Sequence, residues 1–320
     1  MLPDPKTSDA DDPSDTRCGY VALIGRPNAG KSTLLNAALG THLSIVTPKP
    51  QTTWRRVTGI LTTERVQIVF VDTPGILRVE GIFQRAMLHE AEQAIEDADV
   101  HLLLLDATRP LATDERDVLE GLLGGGSRPL LVAVNKTDQA EGTAVETEER
   151  WAREAFPRAQ IRRISALTGD GVDSLIEDVG DRIPVGPFLF PPDEIATDPV
   201  RFFVAELVRE TVFEQYREEI PYSTISRVEE FREGGKRTYI QVTLYVERRS
   251  QRGILIGDKG AAIRSLGVEA RKKIEEFLGE PVYLDLWVKV LPHWRRRRKE
   301  LRRLGFRVPE DHEETSAKGT

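Results

Sequence analysis

The residues Gly25-Arg26-Pro27-Asn28-Ala29-Gly30-Lys31-Ser32 read G-x-x-x-x-G-K-S, and the chemistry of that spacing is phosphate binding. Glycines at both ends let the backbone turn tightly and approach a ligand. Successive N–H groups then face the phosphates at a helix N-terminus. Lys31 is placed to reach the β- and γ-phosphates, and the Ser32 hydroxyl to ligate Mg²⁺. Downstream, Asp72-Thr73-Pro74-Gly75 offers a carboxylate for the magnesium shell and, at Gly75, an N–H for the γ-phosphate. Asn135-Lys136-Thr137-Asp138 offers a base-recognition set. The Asp138 carboxylate accepts two hydrogen bonds from guanine N1–H and its 2-amino group, and adenine has neither donor. Asn135 would tie this loop to the phosphate loop, and the Lys136 stem would cover the base face. Ser165-Ala166-Leu167 follows, with the Ala166 N–H expected at guanine O6.

These residues need elements to hold them. The apolar run 20–24 reads as a buried strand and 32–39 as a helix, which is the strand–loop–helix context the motif requires. Strands over 57–62 and 65–71 precede the aspartate. A helix over 81–97 carries Phe83, Met87, Ala91 and Ile95 on one face. Strand 100–105, helix 114–123, strand 129–134, helix 142–156, strand 160–164 and helix 171–183 complete an alternating pattern. That pattern predicts an α/β domain with a mainly parallel, doubly wound sheet and ligand loops at the strand carboxyl ends. The polar segment 41–56 is long for a connection and holds Thr52 and Thr53. In a nucleotide switch a threonine here contacts Mg²⁺ and senses the γ-phosphate; Thr53 is favoured over Thr52.

Composition sets the frame. The chain has 320 residues, 39% hydrophobic and 30% charged, which suits a soluble globular protein of two domains. The net charge of −7 excludes a global basic field, so charge must be read locally. A single cysteine, Cys18, excludes an internal disulfide and fits a reducing cytosol. No apolar run reaches the roughly 18 residues of a membrane span. Residues 1–17 are acidic and residues 307–320 polar, and both are expected to be disordered tails.

The phosphate-binding domain is expected over 18–183, followed by a proline-rich, semi-rigid linker over 184–199. Residues 200–306 then read helix, strand, strand, helix, helix, strand. Between the two adjacent helices stands Ile256-Gly257-Asp258-Lys259-Gly260, with Ile263 completing I-G-x-x-G-x-x-I. This is the order of an α+β KH domain of type II topology. Its G-x-x-G loop lets a nucleic-acid backbone approach, with Lys259 adding a charge. Trp294 and Arg295 open a strongly basic run to Arg303, read as RNA phosphate contacts beside an aromatic, with a solvated helix face or an anionic-membrane patch as the other readings.

These motifs in this order resemble the Era family of bacterial GTPases over residues 19–306. The resemblance implies a Ras-like P-loop GTPase domain joined to a KH domain. It implies a Mg²⁺-dependent GTPase that binds small-subunit ribosomal RNA near its 3′ end and assists 30S assembly. It further implies a cytoplasmic protein, expected to be a monomer, with peripheral contact at the membrane. In Ras-type enzymes a glutamine after D-x-x-G orients the attacking water. Here Ile76 stands there, so slow intrinsic turnover is expected. Similarity to cation-dependent GTPases with P-N-x-G-K-S points to K⁺ held partly by Asn28; the other reading is an Asn that tolerates a tight loop.

Overall fold

The computed structural model describes residues 16–75 and 81–309. Ile76 and most of both terminal segments therefore lie outside the described residues. The chain divides into two compact units, and their membership is not colinear. The first holds described residues 16–41, 58–72 and 94–197; the second holds 42–57, 73–75, 81–93 and 198–309. Segments 42–57 and 73–93, which the motif order assigns to the phosphate-binding domain, thus cluster with the C-terminal part.

In the first unit β1 (Arg17–Gly25) leads into α1 (Lys31–Leu39), and β2 (Val57–Thr62) precedes β3 (Val66–Asp72). After α2 (Ile82–Asp97) come β4 (Val100–Asp106), α3 (Thr113–Leu123), β5 (Leu130–Asn135), α4 (Ala144–Ala155), β6 (Gln160–Arg163) and α5 (Val172–Gly180). The sheet order is β2-β3-β1-β4-β5-β6, and β1 pairs parallel with both β3 and β4. Continuous apolar runs make this possible. Leu102, Leu103, Leu104 and Leu105 are all buried, as expected of strands covered on both faces. Parallel pairing brings the carboxyl ends of β1, β3, β4 and β5 to one edge, where the phosphate and base motifs follow.

The proline-rich stretch departs from the expected free-standing linker. Cys18 N–H donates to Pro184 O (3.1 Å), and Ile60 N–H donates to Ile195 O (2.9 Å). Buried Gln67 accepts from the N–H groups of Leu189 (2.9 Å) and Phe190 (3.0 Å). Residues 184–197 therefore run along the first unit as part of it.

The second unit contains α6 (Val200–Gln215), the one-turn α7 (Ile220–Ser223), β7 (Ile225–Arg232), β8 (Thr238–Val246), α8 (Arg249–Ile256), α9 (Ala261–Leu278) and β9 (Val282–Val290). A last helix, α10, spans Arg298–Arg303. β7 and β8 are antiparallel, and β8 and β9 parallel. Ile240, Val242, Leu244 and Val246 of β8 are buried with Leu255, Leu266, Ala270 and Ile274 of the helices. These alternate positions of β8 thus face the helices.

A second cluster overturns one sequence expectation. Trp294, expected as an RNA-contacting aromatic, is 0% exposed. It sits with Trp54 (5.9 Å between centroids), Phe83 (5.4 Å) and Phe306 (6.4 Å), and its Nε1 donates to Ser223 O (3.1 Å). Burial satisfied by an internal acceptor leaves no face for a base to stack on. Val308 belongs to the same buried cluster, and Arg17 pairs in β1, so the disorder expected over 307–320 and 1–17 does not hold at these two residues. Trp294→Ala should cost about 3–5 kcal/mol, the usual range for emptying a fully buried aromatic site. Chemical denaturation would read this directly, and a cost under about 1 kcal/mol would mean the site collapses without loss.

Candidate nucleotide-binding and nucleic-acid-binding sites

β1 ends at Gly25, with φ 149°; a Cβ there would lie 2.5 Å from Leu104 O, so only glycine fits. The loop continues through Arg26, Pro27, Asn28 (φ 63°) and Ala29 to Gly30 (φ 98°), which caps α1. No side chain caps this helix and no acidic residue stands in its first turn, which leaves the N-terminal end electrostatically suited to an anion. Lys31 is 5% exposed, and its Nζ donates to Gly25 O (3.1 Å) and Arg26 O (2.9 Å). Burial pushes its ammonium pKa down to about 8, with the Asp72 carboxylate pulling the other way. Ser32 Oγ donates to Asp72 Oδ2 (2.6 Å), and Asp72 is completely buried. A hydroxyl and a carboxylate oxygen this close are hard oxygen donors of the type Mg²⁺ takes, so the residues present fit that ion.

The base motifs are locked to this loop through one buried side chain. Asn135 Nδ2 donates to Ala29 O (2.8 Å), and Asn135 Oδ1 accepts from Ala166 N–H (2.9 Å). A Cβ at Gly30 would run into the Asn135 amide, which is why that position is glycine. The Ala166 N–H, expected to point to guanine O6, is thus engaged by Asn135, an acceptor buried beside it. Lys136 takes φ 64°, and its Nζ pairs with Asp106 Oδ2 (2.6 Å). Thr137 donates through N–H and Oγ1 to Ile164 O (3.3 and 3.0 Å). The exposed Asp138 carboxyl is held below its usual range, first by a hydrogen bond from Ser165 and then by Gln139. Ser165 is buried, while Leu167 is 68% exposed at the rim.

Residues 25–32, Asp72, 135–138 and 165–167 therefore share the first unit. Thr52, Thr53, Thr73, Pro74 and Gly75 fall in the second. There Thr52 is buried with its carbonyl accepting from Arg209 Nη2 (2.5 Å), Thr53 is half-buried, and Thr73 is 1% exposed. Two contributors escaped the sequence reading: Asp106, which holds Lys136, and Glu115, which pairs with Arg26 (3.0 Å). Asp106 closes a buried strand just as Asp72 does, and that position was its visible signal.

The G-x-x-G loop lies between α8 and α9. Gly257 (φ 71°) and Gly260 (φ 80°) flank Asp258 and Lys259, both exposed, while Ile256 and Ile263 are half-buried on either side. A Cβ at Gly257 would lie 2.6 Å from Ala262 Cβ and 2.9 Å from Ala262 N, so the two helices approach only over glycine. Arg295 is drawn to Glu247 (Nε–Oε2 3.2 Å), which offsets its charge. Gly257→Ala should cost about 1–3 kcal/mol of second-unit stability and weaken RNA binding, with guanine-nucleotide affinity unchanged. A thermal melt and a filter-binding titration check both halves; an unaltered RNA affinity would remove this loop from the nucleic-acid surface.

Comparison with known proteins adds the following. A model described as 50S ribosome-binding GTPase matches residues 20–136, and a KH domain model matches residues 219–295. A GTPase Era of Desulfovibrio desulfuricans is 43% identical over 298 residues, covering 91% of this chain and 97% of that protein. One from Pseudomonas aeruginosa is 42% identical, covering 92% and 97%. The crystal structure of an Aquifex aeolicus Era variant bound to GDP and AlF4⁻ superposes with TM-score 0.87 at 37% identity, over 92% of this chain and all of that one. A crystal structure of Era with MgGDPNP and nucleotides 1506–1542 of 16S ribosomal RNA matches equally well, with the same TM-score of 0.87.

Proposed function

Since this chain belongs to the GTPase Era family, we propose that it is a GTP-hydrolysing switch. It binds small-subunit ribosomal RNA near its 3′ end through its KH domain and assists 30S subunit assembly. The observation that carries the nucleotide half is the Asn135 bridge, which joins the phosphate loop to the base loop at 2.8 and 2.9 Å. The structural relative that holds RNA 1506–1542 supports the RNA half.

Ser32 and Asp72 are the residues that would hold Mg²⁺, with Thr53 joining them in the GTP-bound state. Bound there, the ion would supply positive charge to offset that on the β- and γ-phosphate oxygens. Lys31 places its ammonium on the same oxygens, and the uncapped start of α1 adds N–H donors. Gly75 offers its N–H to the γ-phosphate. Asp138 selects guanine, Asn135 keeps its loop in register with the phosphate loop, and Lys136 lies along the base. Asn28, at φ 63°, would help hold a K⁺ ion, which would supply the positive charge that an arginine finger gives elsewhere. Asn28→Ala should then remove any preference for K⁺ over Na⁺ in turnover; equal rates of the unmodified protein in both salts would discard the cation. Lys259 and the glycine loop take RNA phosphates.

The protein acts in the cytoplasm as a monomer. No described helix is long and apolar enough to cross a membrane. Peripheral contact with an anionic lipid surface would instead run through Arg296 and Arg297, both exposed. The deciding experiment is the affinity for an RNA oligonucleotide matching the 3′ end of small-subunit ribosomal RNA, with GDP and with a non-hydrolysable GTP analogue. Tighter binding in the GTP-like state is expected. Equal, weak binding in both states, with capture by anionic vesicles instead, would move the partner to the membrane.

A further inference from the structure

The second unit contains a cavity of about 290 Å³ that none of the motifs uses. It is lined by α6, β7, the segment at Trp54 and Arg55, and the end of α10. Five arginines line it, Arg55, Arg201, Arg209, Arg227 and Arg303, against one carboxylate, Glu206. That carboxylate is already committed: Arg209 Nε donates to Glu206 Oε1 at 2.9 Å. Arg209 is 1% exposed, and its Nη2 holds Thr52 O, yet its Nη1 has no hydrogen-bond partner among the described residues. Its guanidinium lies over the rings of Trp54 (4.5 Å) and Phe213 (5.5 Å), which face its charge. Two of the other arginines have carboxylates near them, Glu229 at 4.0 Å from Arg227 and Glu300 at 3.7 Å from Arg303, while Arg55 and Arg201 have aromatic and carbonyl partners. Arg55 lies over the Phe202 ring (5.1 Å), Arg201 donates to Phe231 O (3.3 Å), and Arg227 donates to Arg303 O (3.3 Å). The N-terminal turn of α6, which bears Arg201, holds no acidic residue.

We propose that this cavity is a binding site for a phosphate-bearing anion of mononucleotide size. Arginine forks match phosphate oxygens in a bidentate way, and the volume is at the small end of ligand cavities. The exposed Arg201 and Arg227 supply the donors, and the buried Arg209 guanidinium adds its positive charge beneath them. The phosphate comes either from a free nucleotide or from a residue of an RNA strand; the RNA source rests on the RNA-binding reading above.

The test uses the full chain with its guanine site saturated by GDP and Mg²⁺, and AMP as probe with adenosine as control. Calorimetry should show saturable AMP binding and none for adenosine. Arg201→Ala with Arg227→Ala, both exposed positions, should weaken it roughly tenfold or more. Arg201→Glu, confirmed folded by its melting curve, should weaken it further. In a second arm the same variants are titrated with the RNA oligonucleotide, beside Lys259→Ala. Loss in the AMP arm alone assigns a free nucleotide, and loss in both assigns an RNA phosphate. Either supports the site, and the AMP arm stands even if the unmodified protein binds no RNA. Absence of AMP binding together with unchanged RNA affinity in the variants overturns it.

Discussion

Lys31→Ala is expected to lower kcat/KM for GTP by roughly 10²- to 10³-fold, the cost of removing one preorganised charge from a transferring phosphoryl group. The side chain is held in place by the loop itself. It is buried, curled over Gly25 O and Arg26 O, and its pKa is pushed down to about 8. That value has a direction that experiment can follow. The folded state without nucleotide binds fewer protons than the unfolded chain between pH 8 and 10.5. The penalty of a buried ammonium is therefore fully present below about pH 8 and is relieved as pH rises towards 10.5. A phosphate on Lys31 favours the charged form and raises its pKa. Nucleotide binding at pH 8 should then take up a fraction of a proton, roughly half at most, and clearly less at pH 6.5. Calorimetry in buffers of different ionisation enthalpy measures this uptake, and Lys31→Ala should abolish it. An uptake that survives the substitution would place the titrating group elsewhere.

The phosphate and base loops were legible in the sequence because their chemistry is local. Gly25, Gly30 and Lys31 stand at fixed spacing, and strand and helix patterns flank them within a few residues. The Asn135 bridge could be anticipated for the same reason: once the sheet is parallel, its strand β5 ends at the same edge as β1, with only β4 between them. What sequence spacing does not encode is side-chain encounter across long separations. Trp294 stands before an arginine run and so read as an exposed aromatic on a nucleic-acid surface. Trp54, Phe83 and Phe306 bury it, and they lie 240, 211 and 12 residues away by subtraction of their numbers. Nor could periodicity place segment 42–57 with the C-terminal unit, because what holds it, besides the single buried Trp54, is polar and specific. Glu210 of α6 accepts from Val46 N–H (3.1 Å), Arg209 grips Thr52 O, and Lys49 donates to the carbonyls of Phe213 and Tyr216. The prolines after residue 183 read as a spacer for a related reason: the glutamine that pins them, Gln67, is 0% exposed near the start of β3.

Asp138→Asn should exchange the base that the protein accepts, lowering guanine-nucleotide affinity by roughly 10²- to 10⁴-fold while raising that for xanthine nucleotides. The argument is one of donors and acceptors. An ionised carboxylate has only acceptors, and guanine presents two donors, N1–H and the 2-amino group. The hydrogen bonds from Ser165 and Gln139 keep the Asp138 carboxyl below its usual pKa, so it is ionised throughout the neutral range and acts purely as an acceptor pair. Asparagine substitutes one acceptor by an NH₂ donor, which then faces the guanine amino group donor to donor. Xanthine carries a carbonyl at that carbon and keeps N1–H, so the amide matches it with one bond in each direction. The substitution changes no volume and the site is exposed, so stability should move by less than about 0.5 kcal/mol. Competition of GDP and XDP for the variant separates this from simple damage. Loss of both nucleotides would mean that Asp138 shapes the loop, whereas an exchange of preference identifies it as the residue that reads the base.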